Sequence, residues 1–167
     1  MRVLRSVRKA LGMIIFVIVA ALLIRTFVAQ TYLVDGESMA PTLHDGDRLL
    51  VEKVVYSFSD PARRDVVVFS ASDATEGEYD TLVKGVVGIP GYSVGMLEGY
   101  PWVNGKQLLE PYLPDPMVGC IQTSTSTVVP PGTVYVLGDN RLHSMDSRTF
   151  GPIQIDDIQG RLFTTLF

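Results

Sequence analysis

Residues 81–89 read TLVKGVVGI, an apolar and largely β-branched run that is interrupted by one lysine, Lys84. Such a run, followed directly by the turn-forming pair Pro90-Gly91, predicts a buried β-strand. No segment beyond residue 30 shows a convincing helical period, so the sequence predicts a mostly β body. Three further segments have the same strand-like character: LLVEKVVY at 49–56, DVVVF at 65–69 and TVYVL at 133–137.

The predicted β body covers residues 30–167. Within it, one stretch has a less regular sequence than the rest. Residues 92–127 are rich in Gly and Pro and end in a Ser/Thr run. Turn formers at this density favour short strands over long ones. We expect this stretch to be an irregular insertion or a small β subdomain.

Charge and composition exclude several classes of function. Five of the 14 basic residues lie in the first 30 positions, which hold no acid, so the rest of the chain carries nine basic against 18 acidic groups. A body that acidic is a poor candidate for binding nucleic acid. Cys120 is the only cysteine, and there are two histidines. We therefore expect no intramolecular disulfide, no metal and no cofactor.

The N-terminus has the pattern of a membrane anchor. A basic flank at residues 1–9 precedes the span 10–29, whose only charge is Arg25. Twenty such residues are about the length that crosses the hydrocarbon core. The basic flank predicts a single-pass protein of the plasma membrane with a cytoplasmic N-terminus and an extracytoplasmic body. The alternative is a cleavable signal peptide, although no good cleavage site is evident.

Candidate catalytic groups lie at Ser38 and Lys84. Ser38 belongs to the segment GESMAPTL at 36–43, shortly after the apolar span. A nucleophilic serine needs a base, and neither His44 nor His143 lies in a recognisable protease signature. Lys84 serves as a base only if desolvation in its apolar strand holds the amine neutral. The alternatives are an inert turn serine and a strand lysine with its head in solvent.

A third polar segment, GDNRLHSMDSR at 138–148, follows the last predicted strand. It is either a buried polar network that supports a site or a solvated turn. In the solvated turn, a surface pair of Asp146 and Arg148 would contribute little to stability.

In this order the segments resemble the type I signal peptidases over nearly the whole chain. The matching boxes are Ser38-Met39-x-Pro41-Thr42-Leu43, Val83-Lys84-x-Val86-Val87-Gly88-x-Pro90-Gly91 and Gly138-Asp139-Asn140-Arg141-x-x-Ser144-x-Asp146-Ser147-Arg148. The resemblance implies a serine endopeptidase that removes signal peptides from exported preproteins through a Ser/Lys dyad and an acyl-enzyme.

The resemblance also implies roles for single residues. Ser38 is the nucleophile, Lys84 is the general base, Ser144 orients the lysine, and Asp146 and Arg148 form a structural pair. Six residues are implied to line the pocket for a small substrate residue: Val34, Gly36, Met39, Leu43, Leu82 and Val83. The expected partners are preproteins and the lipid membrane. Four aromatic residues either contact the outer leaflet or pack in the core: Phe27, Tyr32, Phe163 and Phe167.

Three positions depart from the family's pattern. Arg64 stands where glycine is usual, Gly85 stands where arginine usually follows the base, and Tyr92 replaces an aspartate. The departures at Gly85 and Tyr92 are compatible with a specialised enzyme for pilin or surface-protein precursors. A signal-peptidase-like accessory or chaperone for pilus or surface-protein assembly is the alternative function. The repressor-type autoproteases share a Ser/Lys dyad but carry a DNA-binding domain and no anchor, and they rank third.

Overall fold

The computed structural model of the protein describes residues 2–23, 28–71, 81–113 and 126–166. The predictions that concern Arg25, Phe27, Cys120 and Phe167 lie outside these residues.

The N-terminal helix α1 runs from Arg2 to Leu23. It therefore includes most of the basic flank that was predicted to precede it. Ala29, the predicted last residue of the apolar span, is instead the first residue of strand β1 (Ala29–Leu33). Large apolar side chains between Leu11 and Leu22 are exposed. Within the described ranges, no helix combines the length and the apolar character needed to cross a membrane.

The remainder is built from short strands in two antiparallel sheets. The strands of the larger sheet are β1 (Ala29–Leu33), β2 (Arg48–Glu52), β3 (Val66–Ser70), β4 (Thr81–Gly88), β9 (Thr133–Leu137), β10 (Ile153–Gln154) and β11 (Ile158–Leu166). Those of the smaller sheet are β5 (Ser93–Leu97), β6 (Tyr100–Val103), β7 (Lys106–Gln107) and β8 (Thr127–Val128). The larger sheet has the strand order β1-β2-β11-β3-β4-β9-β10, and the smaller has the order β7-β6-β5-β8. A four-residue helix, α2 (Ser147–Phe150), follows β9.

The mostly β prediction is confirmed, with differences at several elements. The predicted strand over 49–56 is shorter, because the chain leaves β2 at Glu52 and forms a 3-10 turn at Val55–Ser57. The stretch 92–127, for which an irregular insertion or a small β subdomain was predicted, contains β5, β6 and β7 of the smaller sheet, and its residues 114–125 lie outside the description. Strands β1 and β11 and helix α2 were not predicted.

Strand β4 lies inside the larger sheet, between β3 and β9. It pairs with β3 on one side, where Lys84 lies opposite Val67. On the other side it pairs with β9, and that register begins at Gly85 opposite Leu137. Lys84 therefore directly precedes the first residue of β4 that pairs with β9.

Three buried apolar clusters stabilise this arrangement. One lies between β3, β4 and β9 and includes Val67, Phe69 and Val136. A second joins β4 and β9 to the smaller sheet through Val87, Leu137 and Val94. The third packs the segment after β1 against β2 and β3. Because apolar burial drives folding, the third cluster fixes the chain around Ser38 on the sheet.

Arg64, which stands where the family usually has glycine, adopts a backbone conformation that is unusual for a residue with a side chain. Its backbone has a φ of +75°, in the left-handed region that favours glycine. Its N–H donates to the Val86 carbonyl at 2.8 Å, which ties the turn before β3 to β4. The structure therefore requires a glycine-like conformation at the position where the resemblance expected glycine.

Candidate active site

Ser38 lies in the segment between β1 and β2, which is anchored at both ends. Val34 N–H donates to the Asp47 carbonyl at 2.8 Å, and Gly46 N–H donates to the Val34 carbonyl at 3.0 Å. Met39 and Leu43 are each 1% exposed and carry the segment into the third core cluster. The Ser38 side chain is partly exposed beside these anchors.

The Lys84 amine contacts the Ser38 hydroxyl. Lys84 Nζ lies 2.8 Å from Ser38 Oγ and also donates to the Val83 carbonyl at 2.9 Å. The residue is 1% exposed. Desolvation lowers the pKa of Lys84 to about 8, against the opposing effects of the Asp146 and Asp139 carboxylates. A lysine with that pKa is partly neutral near neutral pH and able to accept a proton.

The turn after β9 packs against the segment that carries Ser38. Asn140 N–H donates to the Ser38 carbonyl at 3.0 Å, and its side-chain amide donates to the Glu37 carbonyl at 3.1 Å. Gly138 approaches so closely that an added Cβ would lie 2.5 Å from the Ser38 carbonyl oxygen and would overlap Ser144 Oγ. A side chain at position 138 is therefore incompatible with this packing.

Asp146 and Arg148 form a buried ion pair beside that turn. Arg148 Nε donates to Asp146 Oδ1 and Arg148 Nη2 to Asp146 Oδ2, both at 2.8 Å. Asp146 is fully buried and also accepts from Gly138 N–H at 3.0 Å. As the N-cap of α2 it accepts from Arg148 N–H at 3.2 Å as well. These contacts have the geometry expected of a pair that holds the turn in place.

Ser144 lies against Gly138, close to the Ser38 carbonyl. Its Oγ is buried and has no hydrogen-bond partner in the described parts of the chain. The structure therefore places Ser144 beside the site without the hydrogen bond to Lys84 that an orienting role requires.

The predicted pocket residues divide into two groups. Val34, Met39 and Leu43 belong to the third cluster, and Val83 packs against it. Leu82 packs against a different cluster, between β3, β4 and β9, because neighbouring residues of a strand point to opposite faces. Gly36 is exposed, with a φ of +88° and open space around its Cβ direction. The structure thus brings four of the six residues together.

Two features of the site were missed by sequence reasoning. Asp139 is a nearly buried carboxyl whose pKa is raised by desolvation, against the effect of a hydrogen bond with Thr42. Arg141 forms an ion pair with Glu110, with Nη2 and Oε2 2.6 Å apart, and its Nε donates to the Gly138 carbonyl at 3.0 Å. Glu110 follows the smaller sheet, and nothing in the local sequence indicates a contact with the turn after β9. Among the described residues, no cluster of His, Cys, Asp and Glu could hold a metal ion.

The structure thus holds a serine hydroxyl against a buried lysine amine on a mostly β body. A hydroxyl within hydrogen-bond reach of a base is what nucleophilic catalysis requires. Residues 7–167 match the family model "Signal peptidase, peptidase S26". The chain belongs to this family and is a serine endopeptidase of the signal peptidase I type.

Individual relatives agree with this assignment. The chain is 40% identical over 155 residues to signal peptidase I T of Bacillus subtilis, covering 88% of this chain and 78% of that protein. It is 38% identical over 148 residues to probable signal peptidase I-2 of Synechocystis, covering 87% of this chain and 66% of the relative. A crystal structure of a signal peptidase I from Enterococcus faecalis superimposes with a TM-score of 0.52 at 28% identity, covering 62% of this chain and 97% of that one.

Proposed function

We propose that this protein removes signal peptides from exported preproteins, cleaving after a small residue with Ser38 as nucleophile and Lys84 as general base. The observation that carries the proposal is the 2.8 Å contact between Lys84 Nζ and Ser38 Oγ, made by a lysine that is 1% exposed. Burial lowers the pKa of Lys84, so that part of the amine is neutral. The contact places this amine where it can accept the proton of the Ser38 hydroxyl.

The proposed reaction is acyl transfer in two steps. Neutral Lys84 takes the Ser38 proton while Oγ attacks the scissile carbonyl, and the resulting ammonium returns that proton to the leaving amine. An ester then joins Ser38 to the signal peptide. Lys84 next takes a proton from water, the hydroxide attacks the ester, and Ser38 regains its proton. We assign one oxyanion donor to the Ser38 backbone N–H.

The preference for a small residue follows from the walls near Ser38. Val34, Met39 and Leu43 are nearly fully buried, and Val83 packs against them. Close-packed aliphatic walls have little room to yield. A substrate methyl group fits beside such walls, whereas a larger side chain requires them to move.

Attachment to a membrane is part of the proposal. It is supported by the exposed apolar side chains on α1 and by Arg8 and Lys9 at its basic end. Leu33 and Phe163 are each 67% exposed and add apolar surface on the larger sheet. Tyr32 is half-buried, and its hydroxyl donates to Gln159 Oε1 at 2.6 Å, so we assign it to packing.

Cleavage is expected to increase with pH on the acid limb, with an apparent pKa near 8. The rate increases with pH because only neutral Lys84 can accept the Ser38 proton. The neutral fraction of Lys84 increases as the pH rises through the lowered pKa. At pH 7 about one tenth of the molecules would be active, whereas a lysine in water would be neutral in fewer than about one in a thousand. The measurement is kcat/KM of the purified protein in detergent on a preprotein, from pH 6 to pH 10. A rate that does not change across this range would contradict the role of Lys84.

The proposed topology places the body outside the cytoplasm. Protease added to intact spheroplasts should therefore digest residues 30–167 and leave an epitope at the extreme N-terminus protected. A cytoplasmic marker protein must stay intact as a control for lysis. Digestion of the body only after lysis would reverse the orientation and remove the access to exported substrates that the function needs.

A further inference from the structure

Both carboxylate oxygens of Glu110 are hydrogen-bonded, although the proposed chemistry does not use this residue. Oε2 accepts from Arg141 Nη2 at 2.6 Å, and Oε1 accepts from the Tyr112 hydroxyl at 3.0 Å. The side chains of Glu110 and Arg141 are 9% and 12% exposed. Because an ion pair that is largely removed from water is favourable only when its geometry is good, these contacts hold the Glu110 carboxylate in one defined position.

The segment that carries Glu110 is attached to the smaller sheet. Leu108 N–H donates to the Pro101 carbonyl of β6 at 2.8 Å, and the Leu108 side chain packs against the second core cluster. A turn follows, in which Leu113 N–H donates to the Glu110 carbonyl at 3.0 Å. The Glu110 carboxylate therefore reaches Arg141 from a segment that has its own contacts with the smaller sheet.

Arg141 connects this carboxylate to the backbone of Gly138. While Nη2 of Arg141 donates to Glu110, its Nε donates to the Gly138 carbonyl at 3.0 Å. The N–H of Gly138 donates to Asp146 Oδ2, also at 3.0 Å. Each backbone polar group of Gly138 is thus held by one member of an ion pair. The N–H is held by the pair of Asp146 and Arg148, and the carbonyl by the pair of Arg141 and Glu110.

The turn after β9, to which Gly138 belongs, determines the surroundings of Ser38. An added Cβ at Gly138 would lie 2.5 Å from the Ser38 carbonyl oxygen, and Asn140 N–H donates to that oxygen at 3.0 Å. Asp139, in the same turn, carries one of the two carboxylates that raise the pKa of Lys84. A shift of this turn would therefore disturb the nucleophile and the base together. A misplacement of about 1 Å in an active site costs roughly a hundredfold in rate.

We infer that Glu110 is a positioning residue of the proposed active site, which holds Arg141 on the Gly138 carbonyl and so fixes the turn after β9 against Ser38. The inference rests on the proposed function. Glu110 acts through Arg141, whose planar guanidinium directs Nη2 to the carboxylate and Nε to the carbonyl. The smaller sheet thereby takes part in setting the geometry of the reaction.

The test measures kcat and KM of full-length variants in detergent on a preprotein, at a temperature at which circular dichroism shows each variant to be folded. Glu110→Gln keeps the size of the side chain and removes its charge. It should lower kcat by about tenfold or more and change KM by less than about twofold, because it disturbs the reacting groups and not the walls near Ser38. Glu52→Gln breaks the ion pair with Arg161, between β2 and β11, and is the matched control that should keep kcat.

A second variant keeps the opposite charges and changes only the geometry. Arg141→Lys leaves a cation opposite Glu110, but one ammonium group does not reproduce the fork that holds both the carboxylate and the Gly138 carbonyl. Its kcat should also fall by about tenfold or more. The double variant Glu110→Gln/Arg141→Lys should be no slower than Arg141→Lys alone, because Glu110 acts through Arg141.

Three results would overturn the positioning role. The first is a Glu110→Gln variant whose kcat stays within about twofold of the wild type, or falls no further than that of Glu52→Gln. The second is a normal kcat in Arg141→Lys, which decides the question alone if Glu110→Gln does not fold. The third is a double variant in which the two losses multiply, since that would mean independent action. If the wild type cleaves no preprotein, the proposed function fails, and the positioning role fails with it.

Discussion

Ser38→Ala is expected to reduce cleavage of a preprotein by at least about 10⁴-fold, because removing a nucleophile from a serine protease removes nearly all covalent catalysis. The Ser38 side chain is partly exposed, and its backbone contacts do not involve Oγ. The variant should therefore keep the melting temperature of the wild type. Ser57→Ala, at an exposed turn remote from β4 in sequence, is the matched control and should retain full activity.

Lys84→Ala should produce a loss of the same order, and the double variant should be no slower than either single one. Non-additivity is expected because the nucleophile and the base act in one step. Lys84→Arg should also be inactive, because a guanidinium does not release its proton at these pH values. Lys106→Ala removes an exposed lysine of β7 and serves as the control.

The two residues are best tested together with single-turnover kinetics. Cleavage preserved in Ser38→Ala or in Lys84→Arg would refute the proposed dyad. If the intact protein cleaves none of several preproteins while pilus or surface-protein assembly depends on it, the accessory role becomes the better explanation.

Asp146→Asn is expected to destabilise the fold by about 3–5 kcal/mol, because it leaves the Arg148 guanidinium as an uncompensated, nearly buried charge. For a domain of this size the melting temperature should fall by roughly 10 °C. Activity should fall with it, since Asp146 also accepts from Gly138 N–H, and Gly138 packs on the Ser38 carbonyl. Asp60→Asn removes an exposed carboxylate and should change neither quantity.

A pH profile separates this structural role from a direct catalytic one. The Asp146 carboxylate raises the pKa of Lys84, so its removal should move the acid limb of the residual activity to lower pH. Arg148→Ala should lose stability in a similar way. An inactive Asp146→Asn with an unchanged melting temperature would mean that Asp146 acts on the reaction directly.

The strands of this protein could be predicted where most of their residues are buried or partly buried. The segment 133–137 coincides with β9, and 81–89 differs from β4 by one residue. Both strands lie inside the sheet. All of β9 is buried, and β4 is partly or fully buried from Leu82 onwards, so the apolar pattern is strong. Strands β1 and β11 were missed because their sequences mix polar and apolar residues, most of which are exposed or only partly buried. Their pairing with β2 depends on partners far away in the chain.

The sequence by itself determined the candidate groups: a serine after an apolar span, a lysine in an apolar strand, and a polar turn with Asp146 and Arg148. Each is recognisable because its residue types and local spacing are properties of the chain. Their roles in a site depend on distance and burial, which are not local. Ser38 and Lys84 are 46 positions apart, and only the tertiary structure places Nζ 2.8 Å from Oγ and removes the amine from water.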